Sequence, residues 1–524
     1  MSKKTIIVGA GLGGLITGIM LKRTDPSHEV VIFDGNKIPG GFCNSFQKVA
    51  NVDGEKVKYT INIPVVTSDF RDGEPFDMFL KYMGVPNLNW RVVEKPFQYY
   101  PLDEAPFLFT QNGVEDLLER TPDTERKQAK EFFDHMKKFY NEVFHKANSD
   151  PNPLQAIKML FTIPTTVKTM LQNKTYKKHI RDSGIKTKVI QEIFSITEGF
   201  MGVEVEQASA VGELLMIQSF LENCLLQPAE GDTFQTLSDR LAQRFEELGG
   251  KIHFKKTVDS VIFDTKKATG VMINGKSEYS DYIVLSVAQD RIKSLVSRGT
   301  HIPRVNKLVN KITDLPYPNS DFYSYYLVDK SLFEQRPDFT DILYHIYRKK
   351  DGIKKGEWNL FTIIPDEIYN EKYYLLAVLY IEHDQSKIDS WFRLRETDYP
   401  KYKKEKENFA GKILEELQDA EPLFEDSSKI HHVLSMSPAS YLEYGSRFPI
   451  SGLAQTPDNF GMKRMKQVVL DNLFISGGAS FSAGVWGSIA GGWQGFTSAY
   501  EKMYGVKIGN NEVLYKPGIK NLPD

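Results

Sequence analysis

The sequence predicts an α/β fold in which a mostly parallel sheet carries helices on its faces, joined to a second, α+β domain with an antiparallel sheet and a helical segment. Three observations predict it. Residues 5–35 read as strand, glycine turn, helix and strand; residues 233–287 read as a helix followed by short strands; and residues 320–385 alternate Tyr, Phe, Ile, Leu and Val with polar positions.

The first unit opens with Thr5-Ile6-Ile7-Val8, an apolar, β-branched strand. Gly9-Ala10-Gly11-Leu12-Gly13-Gly14 follows, Leu12 to Lys22 has helical composition, and Glu29-Val30-Val31-Ile32-Phe33 is a second strand ending at Asp34. This is one Rossmann-like βαβ unit. Gly9 permits the tight turn, Gly11 lets the backbone approach a pyrophosphate, and Gly14 lets the helix pack closely on the strand. The helix N-terminus then meets the anion with free N–H groups and a partial positive charge. Asp34, twenty residues beyond Gly14, stands where a carboxylate accepts hydrogen bonds from an adenosine ribose diol. Glycine turns occur often by chance, but the strand before, the helix after and the acid at this spacing together mark a dinucleotide cradle. No second unit of this kind follows, which counts against a separate NAD(P)H domain.

Residues 113–150 have helical spacing, with Thr121-Pro122-Asp123 starting a new helix. Between Pro151 and Ile190 stand Lys158, Lys168, Lys174, Lys177, Lys178, Arg181, Lys186 and Lys188 against one acid, Asp182. This basic amphipathic stretch reads either as a peripheral contact with an anionic membrane or as a solvated helical face. Thr233 to Leu248 is helical and stops at Gly249-Gly250; strands are expected at 251–254, 257–263, 268–273 and 282–287, with Asn274-Gly275 as a hairpin turn. Asn472 to Ser476 is a short strand that enters a glycine-rich stretch, Gly477 to Gly492, before a helix from Trp493 to Tyr504.

With 524 residues, 41% apolar and 26% charged, the chain is long enough for more than one packed core. The 66 basic and 68 acidic residues nearly cancel, so no overall field draws in nucleic acid. Cys43 and Cys224 form no metal-ligand or disulfide framework. No signal peptide and no apolar run of membrane-spanning length are read, so a cytoplasmic protein is expected, meeting a membrane, if at all, from its side through 151–190.

Gly9 to Gly18, Asp34, and then Pro39-Gly40-Gly41-Phe42-Cys43-Asn44-Ser45-Phe46 together resemble the phytoene desaturase and retinol saturase branch of the FAD-dependent amine-oxidase-like flavoprotein superfamily. Further matches follow in order: Pro228 to Asp232, Gly249-Gly250, Lys256-Thr257-Val258, Gly270-Val271, and Leu473 to Gly478 with Gly484, Gly487 and Ser488. The resemblance implies FAD as cofactor on a glutathione-reductase-type domain formed by 1–65, 225–300 and 425–505. It implies a substrate domain from 66–224 and 301–424, with a helical subregion at about 113–222, and a tail at 506–524. The implied cofactor residues are Gly9, Gly11, Leu12, Gly13, Gly14, Asp34, Gly40, Gly41, Phe42, Val258, Gly477, Gly478, Gly484 and Val485. The sequence departs from its relatives at Asp34, where Glu is commoner, at Phe42, where Arg or a small polar residue is usual, and at Gly478, which lacks a carboxyl-like partner for the ribityl chain. Tyr59 to Pro64 stands where relatives have an aromatic-Asp-x-Gly pattern.

The activity this implies is desaturation or saturation of carbon–carbon bonds in a long apolar substrate, of polyene, isoprenoid, carotenoid or retinoid type, by hydride transfer at the flavin. The same parts serve a redox-neutral double-bond isomerase. An amine oxidase and a non-catalytic lipid-binding scaffold of the GDP-dissociation-inhibitor type are the other classes; the intact Gly9, Gly11, Gly14 and Asp34 set argues against the scaffold. Reaction direction, electron donor or acceptor and oligomeric state are not encoded legibly. Glu198, Tyr444 and Arg447 are candidates for catalysis, each of which also reads as a surface or cap residue. Trp486, Phe481, Tyr323 and Tyr325 are expected to line the substrate path, with ordinary core as the alternative.

Overall fold

Lys4–Val8 and Tyr282–Leu285 are apolar along nearly their whole length, as strands buried on both faces must be. In the computed structural model they lie side by side at the centre of a six-stranded sheet. Its order is Val468–Leu470, Leu473–Ile475, Tyr282–Leu285, Lys4–Val8, Glu29–Phe33 and Lys251–His253. All neighbours are parallel except the first pair, and Ile6, Ile283 and Leu473 stand in register across three strands. The structure describes residues 3–62, 70, 75–110, 112–143, 163–172, 174–221, 225–229, 231–297, 302–307, 318–365, 367–444, 446–447, 453–459, 468–481 and 484–505.

Helices Leu12–Thr24, Phe234–Glu247 and Gly484–Tyr504 cover one face of this sheet, burying Leu15, Ile19, Leu237, Phe245, Trp493 and Phe496 together. The other face carries a three-stranded antiparallel sheet, Val258–Phe263, Ala268–Ile273 and Lys276–Tyr279, and the helix Gln289–Ser297. The Asn274-Gly275 turn forms as expected, both residues having positive φ.

The C-terminal helix departs from expectation. It begins at Gly484, so residues 484–492 are helical and not a loop. Glycine disfavours a helix by about 1 kcal/mol relative to alanine, but here the glycines make the packing possible. A Cβ on Gly491 would lie 2.0 Å from the Gly477 carbonyl oxygen, and one on Gly492 would lie 3.0 Å from that of Gly13. Tertiary contact overrides local propensity.

The second sheet has the strand order Ile430–Met436, Ser320–Asp329, Tyr373–Glu382, Glu357–Ile363, Tyr344–Lys350, Phe97–Tyr100 and Phe107–Leu108, with Ile368–Tyr369 pairing Tyr373–Glu382 off this path. Alternation in the Phe322 run predicts one core face, yet every residue from Ser320 to Val328 is buried. Phe322, Tyr326 and Val328 pack beneath helix Tyr399–Ala420, whereas Tyr323, Tyr325 and Leu379 face the helical region that includes Asp123–Asn141 and Ala210–Leu221. A hairpin, Ser45–Val52 and Glu55–Asn62, takes up residues 59–62 of the Tyr59 to Pro64 segment.

Of the basic stretch, residues 151–162 and 173 lie outside the described residues; the rest forms helices Pro164–Gln172 and Tyr176–Ser183 and the start of another at Lys188. Ion pairs, some local and some with distant segments, answer part of its charge. Lys174 meets Asp182 at 2.5 Å, Lys177 meets Glu206 at 3.0 Å, and Lys188 meets Asp103 and Glu192 at 3.2 and 3.3 Å. Among the described residues, no helix is long and apolar enough to cross a membrane.

Helix Ala210–Leu221 carries Glu213 fully into the core, where Thr197 Oγ1 donates to its Oε2 at 2.6 Å and Oε1 has no partner. Burial pushes this carboxyl up to about 8. The native protein therefore holds a proton that the unfolded chain releases above pH ~4.3, and stability falls as pH rises between there and about 8. The slope from this group approaches about 1.4 kcal/mol per pH unit inside the window. Urea unfolding midpoints measured from pH 5 to 8 should decline less steeply for Glu213→Gln than for the wild type.

Candidate active site

The glycine turn after the first strand is shaped by backbone contact. Gly9 has φ +105°, and a Cβ there would lie 2.2 Å from the Ser286 carbonyl oxygen. Gly14 sits beneath the turn against the Gly9 carbonyl. Gly11 caps helix Leu12–Thr24 without a side-chain hydrogen bond, and a Cβ there would meet nothing within 4 Å. The first amides of a long helix thus open onto free space, the arrangement that binds phosphate.

Asp34 closes the second strand and ties the turn in place. Its Oδ2 accepts from the Ala10 amide at 2.6 Å and its Oδ1 from the Asn36 amide at 2.7 Å. Burial pushes the carboxyl up against the pull of those amides. Each oxygen keeps a second lone pair for a ribose hydroxyl. The Gly40-Gly41 pair lies alongside, Gly40 donating from its amide to the Ala10 carbonyl at 2.8 Å. Phe42 stands edge-on to Tyr441, ring centroids 6.0 Å apart.

One cavity of about 660 Å³ runs from this turn to the second sheet. Ligand sites of about 300–1,000 Å³ are usual, so it has room for a large molecule. Gly9, Gly11, Leu12, Gly13, Asp34, Gly40, Gly41, Phe42 and Val258 line one end. Gly477, Gly478, Gly484, Val485 and Trp486 line its wall, and Phe200, Met216, Tyr323, Tyr344, Phe361, Ile363 and Leu379 form an apolar far end. Trp486 is on the first turn of the C-terminal helix, held edge-on by Phe76 and backed by Phe481. Gly14, Phe481 and Tyr325 stand one layer behind the lining, Tyr325 stacked on Tyr323 at 5.9 Å.

The candidates for catalysis fall in different places. Glu198 begins the short helix whose Gly199 and Phe200 line the cavity, and its own carboxylate faces His383. Arg447 is turned outward: it pairs with Glu396 at 2.8 Å and covers the Phe392 ring, so it braces the surface and does not reach the cavity. Tyr444 ends the turn Pro438–Tyr444, and its side chain lies outside the described residues.

Among the lining residues that escaped the sequence reading, two are buried and polar. Gln289, after the Tyr282–Leu285 strand, is buried, and neither its Oε1 nor its Nε2 has a hydrogen-bond partner. Asp321 is buried in strand Ser320–Asp329 with Oδ1 unpartnered. Buried polar groups without partners are rare in folded proteins. The legible signal for Asp321 was a charge in register with Tyr323 and Tyr325 on the same strand face; Gln289 carried none.

Residues 7–76 match the family model for an NAD(P)-binding Rossmann-like domain. Over 48 residues the chain is 42% identical to coproporphyrinogen III oxidase of Staphylococcus aureus (strain NCTC 8325 / PS 47), a match spanning 9% of this chain and 10% of that protein. Among solved structures, an oxidoreductase from Methanosarcina mazei aligns with TM-score 0.59 at 14% identity, covering 94% of this chain and 99% of its own. A variant of putrescine oxidase aligns with TM-score 0.60 at 14% identity, over 97% and 100% of the two chains. Cyclohexylamine oxidase from Brevibacterium oxydans IH-35A aligns with TM-score 0.57 at 14% identity, over 96% and 100%. The chain therefore has the fold of these oxidases, built on a dinucleotide-binding Rossmann-like unit.

The open space at Gly11 separates ligand binding from folding. Gly11→Ala should leave thermal unfolding of the cofactor-free protein within about 1 °C of the cofactor-free wild type, since a change of this kind is worth about 0.5 kcal/mol or less. Its methyl group should nevertheless block the diphosphate, and dinucleotide affinity, followed by equilibrium dialysis, should fall at least tenfold, a loss of about 1.4 kcal/mol.

Proposed function

We propose that the protein is an FAD-dependent oxidoreductase acting on carbon–carbon bonds of a long apolar substrate. The observation that carries this reading is the continuity of the cavity, which joins a dinucleotide cradle to an end walled by Phe200, Met216, Phe361, Ile363 and Leu379.

The residues present fit FAD. The open Gly11 cradle, the Asp34 carboxylate and the unpartnered Gln289 carboxamide offer a diphosphate site, a ribose acceptor and a further polar contact in one cavity. Leu12 and Gly13 amides would hold the diphosphate, and Val258 would border the adenine end. Gly477, Gly478 and the N-terminus of the Gly484–Tyr504 helix would approach the flavin ring. When bound, FAD supplies hydride chemistry at its ring nitrogen. The chain's own residues position the substrate against it: Trp486 borders the ring end, while the aromatic and aliphatic far wall excludes water and takes up an apolar body. Desaturation, saturation and redox-neutral isomerisation all use this arrangement.

An amine oxidase is the second reading, supported by the fold shared with putrescine oxidase and cyclohexylamine oxidase and by one carboxyl, Asp321, in the far wall. Ionised, that group would pair with a substrate ammonium.

Purified protein is expected to be yellow, to release FAD on denaturation, and to carry an isoprenoid, retinoid or carotenoid detectable by mass spectrometry of its lipid extract. A colourless protein that FAD does not reconstitute overturns the enzymatic reading. Anaerobic bleaching of the flavin by amines and not by polyenes replaces the first reading with the second.

A further inference from the structure

Asp321 pairs with Ile381 across the antiparallel ladder, so its side chain shares a face with Tyr323 and Leu379 at the far end of the cavity. It is 3% exposed and its Oδ1 has no partner. A carboxylate in such surroundings is strongly disfavoured unless a cation answers it. The titratable groups that act on Asp321 or on Tyr323 beside it are His383, Tyr325, Tyr344 and Tyr441, with Glu198 next to His383 and Glu213 beyond; His431 and His432 sit farther along the neighbouring strand, opposite Leu327 and Tyr326. Of the groups that act on Asp321 or Tyr323, His383 alone can carry positive charge; Lys256 and Arg291 line the nucleotide end. Burial pushes Asp321 up to about 7, and the field of His383 opposes that rise.

His383 lies two residues beyond Ile381, just past the end of the Tyr373–Glu382 strand, and its field reaches Asp321. Its Nε2 is 3.6 Å from Glu198 Oε2, and the two side chains are 12% and 13% exposed, so this pair reaches solvent where Asp321 does not. Asn319, two residues before Asp321, pins the Glu198 turn over this edge: its Nδ2 donates to the Glu198 carbonyl and its amide to the Gly202 carbonyl, each at 2.8 Å.

We propose that Asp321 is the proton-exchanging acid of the substrate end of the cavity, held un-ionised there and connected to solvent through His383 and Glu198. This rests on the reading of the cavity as the site of a flavin-dependent reaction on an apolar substrate. In the saturating direction, one carbon of the double bond gains a hydride from reduced flavin and the other gains the Asp321 proton. The carboxylate left behind regains its proton from solvent by way of the His383 and Glu198 side. Desaturation runs each transfer backwards, and isomerisation adds one proton to the substrate and removes another, with no hydride.

The test is infrared spectroscopy of the full-length protein at pH 6, where an ordinary aspartate is ionised. Wild type is expected to show the carbonyl band of an un-ionised carboxylic acid that Asp321→Asn lacks, and that shifts when aspartate carries ¹³C. The band should shift in D₂O, and His383→Gln should slow that exchange while leaving the band in place. Absence of an aspartate band in the ¹³C-labelled wild type overturns the proposal even if Asp321→Asn fails to fold, and so does an exchange rate that His383→Gln leaves unchanged. FAD content is measured on the same samples. Loss of flavin from wild type defeats the functional reading, while the infrared bands still report on Asp321.

Discussion

The backbone contact between helices Leu12–Thr24 and Gly484–Tyr504 is the constraint on which the site depends. Gly13 would place a Cβ 2.3 Å from the Gly477 Cα, so only glycine lets the first helix meet the C-terminal turn. Thr17 Oγ1 fastens the crossing by bonding to the Gly13 carbonyl, Ser476 Oγ and the Gly492 carbonyl at 2.8 to 2.9 Å, all out of water. Residues more than 450 positions apart are thereby locked together. In consequence the N-termini of both helices open onto one cavity, bringing two positive helix ends to the same space.

The second sheet completes what the crossing begins. Its strands are buried on both faces, with one face spent on helix Tyr399–Ala420 and the other on the helical region and the cavity. A wall of this kind is costly for polar groups, and the two that stand out, Gln289 and Asp321, sit at opposite ends of the same space. Both line the cavity with hydrogen-bonding capacity that no protein group meets.

Much of the nucleotide end was legible because it is local. Gly9, Gly11, Gly14 and Asp34 lie within one βαβ unit, where spacing along the chain translates directly into geometry. The far end was less legible. Tyr323 and Trp486 line the cavity, but Tyr325 and Phe481 of the same clusters stand behind it, a distinction set by neighbouring elements and not by aromatic character. The direction in which Arg447 turns depends on Glu396, a partner more than fifty residues earlier in the chain. Part of the charge of the basic stretch is likewise answered by Glu206, Asp103 and Glu192, which reach it from outside the segment.

The sequence by itself determined the dinucleotide cradle, the strand and helix types flanking it and the aromatic character of the second sheet, since each follows from backbone sterics and short-range periodicity. Tertiary structure alone decided that residues 484–492 are helical, that the cavity reaches from Gly11 to Asp321, and which buried groups lack partners. Those outcomes depend on desolvation and contact between segments hundreds of residues apart, and neither quantity is defined until the chain has folded.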